Sequence, residues 1–316
     1  MPFALATAFL FALSAICGQR TTRLMPPMAA NFVRLCLAAA ALGVLTYFLF
    51  PGSVQPATFA WLFASGLIGF GMGDVALFLS YARIGARLTI LINFCLAPVF
   101  SGLADWLWLG DAITLREAGA ISLILAGVAI AIAPPKRRAE DIVAQPWALA
   151  GFFWAAVAGL GQGLGATVSR RATAEAARIG IEVSGLSQAF QRVLGGLLVA
   201  LIVVAALHLA GRLFPKADPL ALKNQGGSGN QTKSSKGTAA LWLLGAACFG
   251  PIIGVSCYQR ALMSLDSSAV VNAVIALSPI LVIPLAWLSE GDKPTARSVI
   301  GRRPQCGGVA ALALIR

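Results

Sequence analysis

Apolar runs separated by short polar stretches fill this chain from end to end. A bilayer-crossing helix needs roughly 20 mostly apolar residues. Ten runs approach or exceed that length, at about 2–18, 29–50, 58–80, 87–109, 113–133, 146–167, 185–209, 238–259, 267–288 and 295–315. Backbone groups cannot go unpaired in lipid, and runs this long close their hydrogen bonds as helices rather than as barrel strands. The pattern predicts an all-α integral membrane protein. The first run has no base before it and Arg20 and Arg23 after it, so it reads as a retained helix rather than a cleaved signal.

Two stretches interrupt the pattern. Residues 210–237 are rich in Gly, Ser, Asn and Lys and predict a solvated, flexible loop. The tenth run carries Arg302-Arg303-Pro304-Gln305 near its middle, where each arginine costs about 2.5–3.5 kcal/mol to insert. Either this helix is broken with its arginines in a wet cavity, or a short frame error lies here, since the matching fifth run has Ile121-Ser122-Leu123-Ile124.

The runs are not independent. Residues 61–130 align without a gap on 242–311 at an offset of 181, pairing Trp61 with Trp242, Gly69 with Gly250, Gly73 with Gly254, and Pro98 with Pro279. Upstream the offset is 158 at Phe32 and Arg34 against Phe190 and Arg192, and 143 at Gly18-Gln19 against Gly161-Gln162. Each jump falls between runs, where insertions are tolerated. Two five-helix repeats follow, 1–134 and 145–316. An odd number of spans per repeat places equivalent helices in opposite orientation, predicting ten transmembrane helices as two inverted five-helix repeats. That is the plan of secondary transporters, with the substrate between repeats near mid-membrane.

Composition narrows the function. The chain is 58% hydrophobic and 11% charged, with mean hydropathy +0.82 and net charge +12. Its bases sit in short loops, the habit of membrane proteins that keep Lys and Arg on the cytoplasmic side, so no nucleic-acid partner is expected. Most loop bases fall in odd-numbered loops, which puts both termini outside, although Arg170, Arg171 and Arg178 run against this. Six cysteines without a CxxC pair and the lone His208 imply no disulfide framework, no metal and no cofactor. A membrane enzyme would need convergent catalytic groups that the chain lacks, and no GxxxxGK[ST] occurs for ATP.

Candidate transport residues follow from position. Asp74 is read as the one acid well inside an apolar run, for proton coupling, for binding a substrate ammonium, or for a structural pair with Arg34 or another base. Arg34 and Arg192 recur in both halves, either snorkelling to the interface or forming a pseudosymmetric pair for a substrate carboxylate or gate. Pro98 and Pro279 should kink the fourth and ninth spans, with Asn93 and Asn272 nearby. Gly69 and Gly73, and Gly250 and Gly254, put glycines on one helix face for close packing or a rocking contact. Gln19, Gln162, Tyr81, Tyr258 and Gln259 are further polar candidates near helix ends. Asp105 lies beside an aromatic belt with Trp106 and Trp108 and is expected to reach headgroups or water.

The ten runs, the paired prolines, Leu109-Gly110-Asp111, the Gly127-Val128 ending and the stretch from Gly73-Asp74 to Pro98-Val99-Phe100 resemble the EamA family of the drug/metabolite transporter superfamily. The resemblance implies a gradient-driven exporter of small metabolites such as amino acids, a multi-pass protein of the bacterial inner membrane, monomer or homodimer, with protons as a candidate coupling ion. Uptake or exchange of metabolites such as nucleotide sugars is the alternative within that class. A non-transporting receptor or scaffold is the alternative outside it.

Overall fold

The computed structural model describes residues 1–22, 24–132, 147–181, 183–211, 236–265, 267–281 and 296–315. Among these residues all regular structure is helical and no strand occurs. Helices α1 (Pro2–Thr22), α2 (Pro27–Leu49) and α3 (Pro56–Gly66) open the chain. The last two begin on proline, whose missing N–H falls where a helix has no partner for it. A π-helical segment, Leu67–Gly73, carries α3 into α4 (Asp74–Ala104). A second π segment, Asp105–Leu109, stops at Gly110, whose φ of 79° needs glycine. Helix α5 (Leu115–Ile132) starts on a capping box, in which Thr114 N and Oγ1 donate to Glu117 at 3.0 and 2.9 Å, and Glu117 N donates back to Thr114 Oγ1 at 3.3 Å.

Helices α6 (Ala148–Arg178) and α7 (Gly185–Leu209) follow, α7 capped by Ser184. Next come α8 (Lys236–Ala247), a third π segment at Cys248–Ile252, α9 (Ile253–Ser264), α10 (Ser268–Ile275) and α11 (Ala296–Ile315). Six described stretches are long and apolar enough to cross a membrane: Pro27–Leu49, Pro56–Leu77, Leu88–Leu109, Ala148–Arg178, Gly185–Leu209 and Gly237–Ser264. Pro2–Gly18 and Ser268–Leu281 are shorter apolar helices.

Three boundaries differ from the hydropathy pattern. The third and fourth runs carry no non-helical break, yet Ser80 Oγ and Thr89 Oγ1 lie 2.7 Å apart. Nine residues of straight helix rise about 13.5 Å, so the chain bends back between them while staying helical. The sixth run extends to Arg178, about three turns beyond its apolar part. The ninth breaks: α10 ends at Ile275, Ala276 and Leu277 form a turn, and Pro279 stands in the next helical stretch. A proline's ring and missing N–H explain a break on its N-terminal side. Pro98 instead lies inside α4.

The surface is apolar and the interior holds polar groups: Phe48 is 74% exposed and Leu209 86%, while Arg192 is 3% and Asp105 1%. That inversion suits a lipid solvent. Helix α4 packs along α6, α2 on α7, α5 on α11, α3 on α6 and α7, and α1 on α8 and α9. Helix α11 is unbroken through Pro304, so the broken-helix reading does not hold for its backbone. Gln305 is buried there, with neither amide atom bonded among the described residues. The side chains of Arg302 and Arg303, the junction between the two predicted repeats and most of the 210–237 loop lie outside the described residues.

Candidate functional site

Glycines determine how closely the central helices approach. A Cβ on Gly161 of α6 would stand 2.8 Å from the Cα of Gly73, and one on Gly165 would stand 3.1 Å from the Cα of Gly69. Helix α7 crosses α3 just as tightly, with Gly66 on the Arg192 carbonyl and Gly195 on that of Phe63. Alternating with these along α6, Gly159 and Gly163 lie on the backbone of α4 on either side of Pro98. At these crossings no larger residue fits without moving backbone.

The first and third π segments begin at Leu67 and Cys248, positions 181 apart, and each carries the matched glycine. Each glycine faces an arginine from the other half. A Cβ on Gly69 would meet Arg192 Nη2 at 2.9 Å, and one on Gly250 would meet Arg34 Nη1 at 3.7 Å. The glycine pairs thus leave room for guanidinium groups as well as for backbone. Neither arginine snorkels to an interface: Arg192 is fully enclosed, and the Arg34 side chain keeps 24% exposure.

Between the halves lies a cavity of about 30 Å³ lined by Phe11, Asn93, Phe94, Gln162, Tyr258 and Asn272. It brings together four of the expected polar residues. Tyr258 Oη donates to Asn272 Oδ1 at 2.9 Å, and Asn272 Nδ2 donates to Ser101 Oγ at 3.1 Å. The Asn93 carbonyl oxygen is buried without a partner among the described residues. This volume suits one or two waters.

The two matched arginines are held differently. Arg34 reaches Asp74 at 3.3 Å and Asn31 Oδ1 at 2.7 Å, which realises the structural pair. Arg192 enters none of the ion pairs among the described residues. Its Nη1 donates to Gln259 Oε1 at 3.0 Å, its Nε has no acceptor, and its guanidinium carbon stands 5.5 Å from the ring centres of Phe70 and Tyr258. Gln259 Nε2 donates to Gln188 Oε1 at 3.1 Å and Ser169 Oγ at 3.2 Å, and Ser169 meets Ser65 at 2.8 Å, so one polar chain joins α9, α7, α6 and α3. Tyr258 and Gln259 are therefore interior groups rather than helix-end ones. The side chains of Gln19 and Tyr81 lie outside the described residues.

Asp105 overturns its expectation. Far from reaching water, it is 1% exposed and accepts four hydrogen bonds. Thr167 Oγ1 and Ser268 Oγ donate to Oδ1 at 2.8 and 3.1 Å, while Arg170 Nη1 and the Ser268 N–H donate to Oδ2 at 2.8 and 2.7 Å. The carboxylate caps α10 and ties α4 to α6 and α10. Arg170 also reaches Asp111 at 2.8 Å, so it belongs to this knot rather than to a loop. The missed signal was spacing: Asn93, Ala97, Ser101 and Asp105 recur every four residues along one face.

Residues 1–133 match the family described as the EamA-like transporter family, part of the drug/metabolite transporter superfamily. A protein of known crystal structure shares the fold, with a TM-score of 0.70 at 16% identity over 98% of this chain and 96% of that one. No curated protein matches the sequence.

Proposed function

We propose, from the membership of residues 1–133 in the EamA-like transporter family, that this multi-pass membrane protein is a secondary-active exporter of small metabolites, amino acids among them. Its ten spans form two inverted five-helix repeats, and substrate occupies the space between them. The observation that carries this reading is the small cavity built from both halves, with Asn93 on one side and Gln162, Tyr258 and Asn272 on the other. Alternating access works through a site between the repeats that opens to each side in turn. The Asp105 knot is the closure on one side, because it crosses from α4 to α6 and α10. Asp74, whose repeat counterpart is Val255, is the coupling group, with Arg34 as its partner in this state. The driving force is a proton or substrate gradient, without ATP. The membrane is the bacterial inner membrane.

Purified protein in liposomes should show exchange or accumulation of members of a metabolite panel, and a pH gradient should raise the rate. Absence of both across a broad panel would sink the transport reading.

A further inference from the structure

The small cavity between the halves has an unfinished hydrogen-bond pattern. Tyr258 Oη donates to Asn272 Oδ1 at 2.9 Å, Asn272 Nδ2 to Ser101 Oγ at 3.1 Å, and Ser101 Oγ to the Pro98 carbonyl at 3.2 Å. This chain fixes one wall and ends inside the protein. The other wall does not close. Asn93 is 5% exposed and lines the cavity, and its Oδ1 has no donor among the described residues. Pro98 brings no N–H to the Phe94 carbonyl four residues back, and Phe94 lines the same cavity. A buried acceptor without a donor is costly, and a donor brought into the cavity would remove that cost. Charge decides which donor. None of the described lining residues is ionised, and the charge behind the Tyr258 ring is a cation, with the Arg192 guanidinium carbon 5.5 Å from the ring centre. An ammonium would meet no carboxylate in this cavity, and burying an unpaired charge costs far more than burying a neutral polar group. A carboxylate has no N–H to give Asn93.

We propose that this cavity seats an uncharged primary carboxamide of the transported molecule. The assignment rests on the transport reading and narrows its metabolites to those bearing such a group, on an amino-acid side chain or elsewhere. The carboxamide nitrogen donates to Asn93 Oδ1, and its oxygen accepts from the Gln162 amide, so that neutral amide edges pair with one another. A volume of about 30 Å³ gives room for one or two waters, so it takes one functional group of that size rather than a whole metabolite. Phe11 and Phe94 offer apolar contact to the carbon beside the amide. Asn93 is the residue that sets specificity, while Tyr258 and Asn272, engaged with each other, hold the wall.

The test uses the full-length purified protein with butanamide, butanoate and butylammonium, and with nicotinamide against nicotinate, at matched ionic strength. Thermal unfolding followed by tryptophan fluorescence should show a saturable rise of about 5 °C with at least one amide at large excess over its Kd. The matching acid and amine should give none. Asn93→Leu removes an unpartnered oxygen at similar size, so the ligand-free midpoint should hold or rise while the response to the amide disappears. Equal shifts with an amide and its acid or amine, no shift with either amide, or a full amide response in Asn93→Leu would overturn the assignment. The wild-type comparison decides by itself where the variant does not fold. Liposome flux, measured above protein-free vesicles, separates the two claims. Butanedioate carried as fast as butanediamide would remove the amide seat and leave transport intact. Amide-specific stabilisation with no flux of any panel member would keep the seat and remove transport.

Discussion

Asp105 accepts from two hydroxyls, one backbone N–H and one guanidinium, and each donor lies across a helix boundary. Asp105→Asn keeps the size, but it removes the charge that balances Arg170 and leaves one oxygen where two accepted. Removing one partner of a buried pair costs about 3–5 kcal/mol. The unfolding midpoint of Asp105→Asn should therefore fall clearly, and Arg170→Gln added to it should cost less than the sum of the two changes. A Cys placed at Asn272, in protein stripped of its other cysteines, should label faster when Asp105 is Ala, because the knot closes one approach to the cavity; unchanged labelling would refute that role. Asp74→Asn should keep substrate exchange while losing stimulation by a pH gradient, and an unaltered pH-driven rate would remove the coupling role. Part of this was legible from the sequence: Asn93, Gln162, Tyr258 and Asn272 line one cavity, and Arg192 stands behind the Tyr258 ring. Asp105 was not, because two tryptophans beside it imitate an interfacial belt. Which arginine keeps its acid depends on three-dimensional register that spacing does not supply.

Among elements, the glycine crossings allow a matched comparison. Gly161→Ala would place a Cβ 2.8 Å from the Cα of Gly73, where only backbone can give way, while its repeat partner Gly18 has nothing within 4 Å. Overpacking costs about 1–3 kcal/mol, and exchanging an unneeded helical glycine for alanine gains up to about 1 kcal/mol. Thermal unfolding should show Gly161→Ala destabilised and Gly18→Ala neutral or stabilised; equal effects would refute the close crossing. Gln305 makes a second case: its repeat counterpart, Ile124, is fully buried and apolar. An unsatisfied buried amide costs about 1–3 kcal/mol, so Gln305→Leu should raise the unfolding midpoint. Hydropathy located the helical stretches because lipid demands apolar side chains over a fixed length. It missed the end of α6, since Ala172 to Arg178 are mostly good helix formers that continue a helix after its apolarity stops. It also missed the bend between Ser80 and Thr89, where the chain reverses without leaving helical geometry.

For the molecule as a whole, the two halves share a frame and differ in charge. Trp61 with Trp242, the glycine pairs, the prolines and the π segments beginning at Leu67 and Cys248 recur, whereas Asp74 answers to Val255. On the proposed inversion, the ancestor was two copies of one five-helix chain. Such a pair could place zero or two acids at that position, never one. A single acid at this site therefore needs two halves of different sequence, which the joined chain supplies.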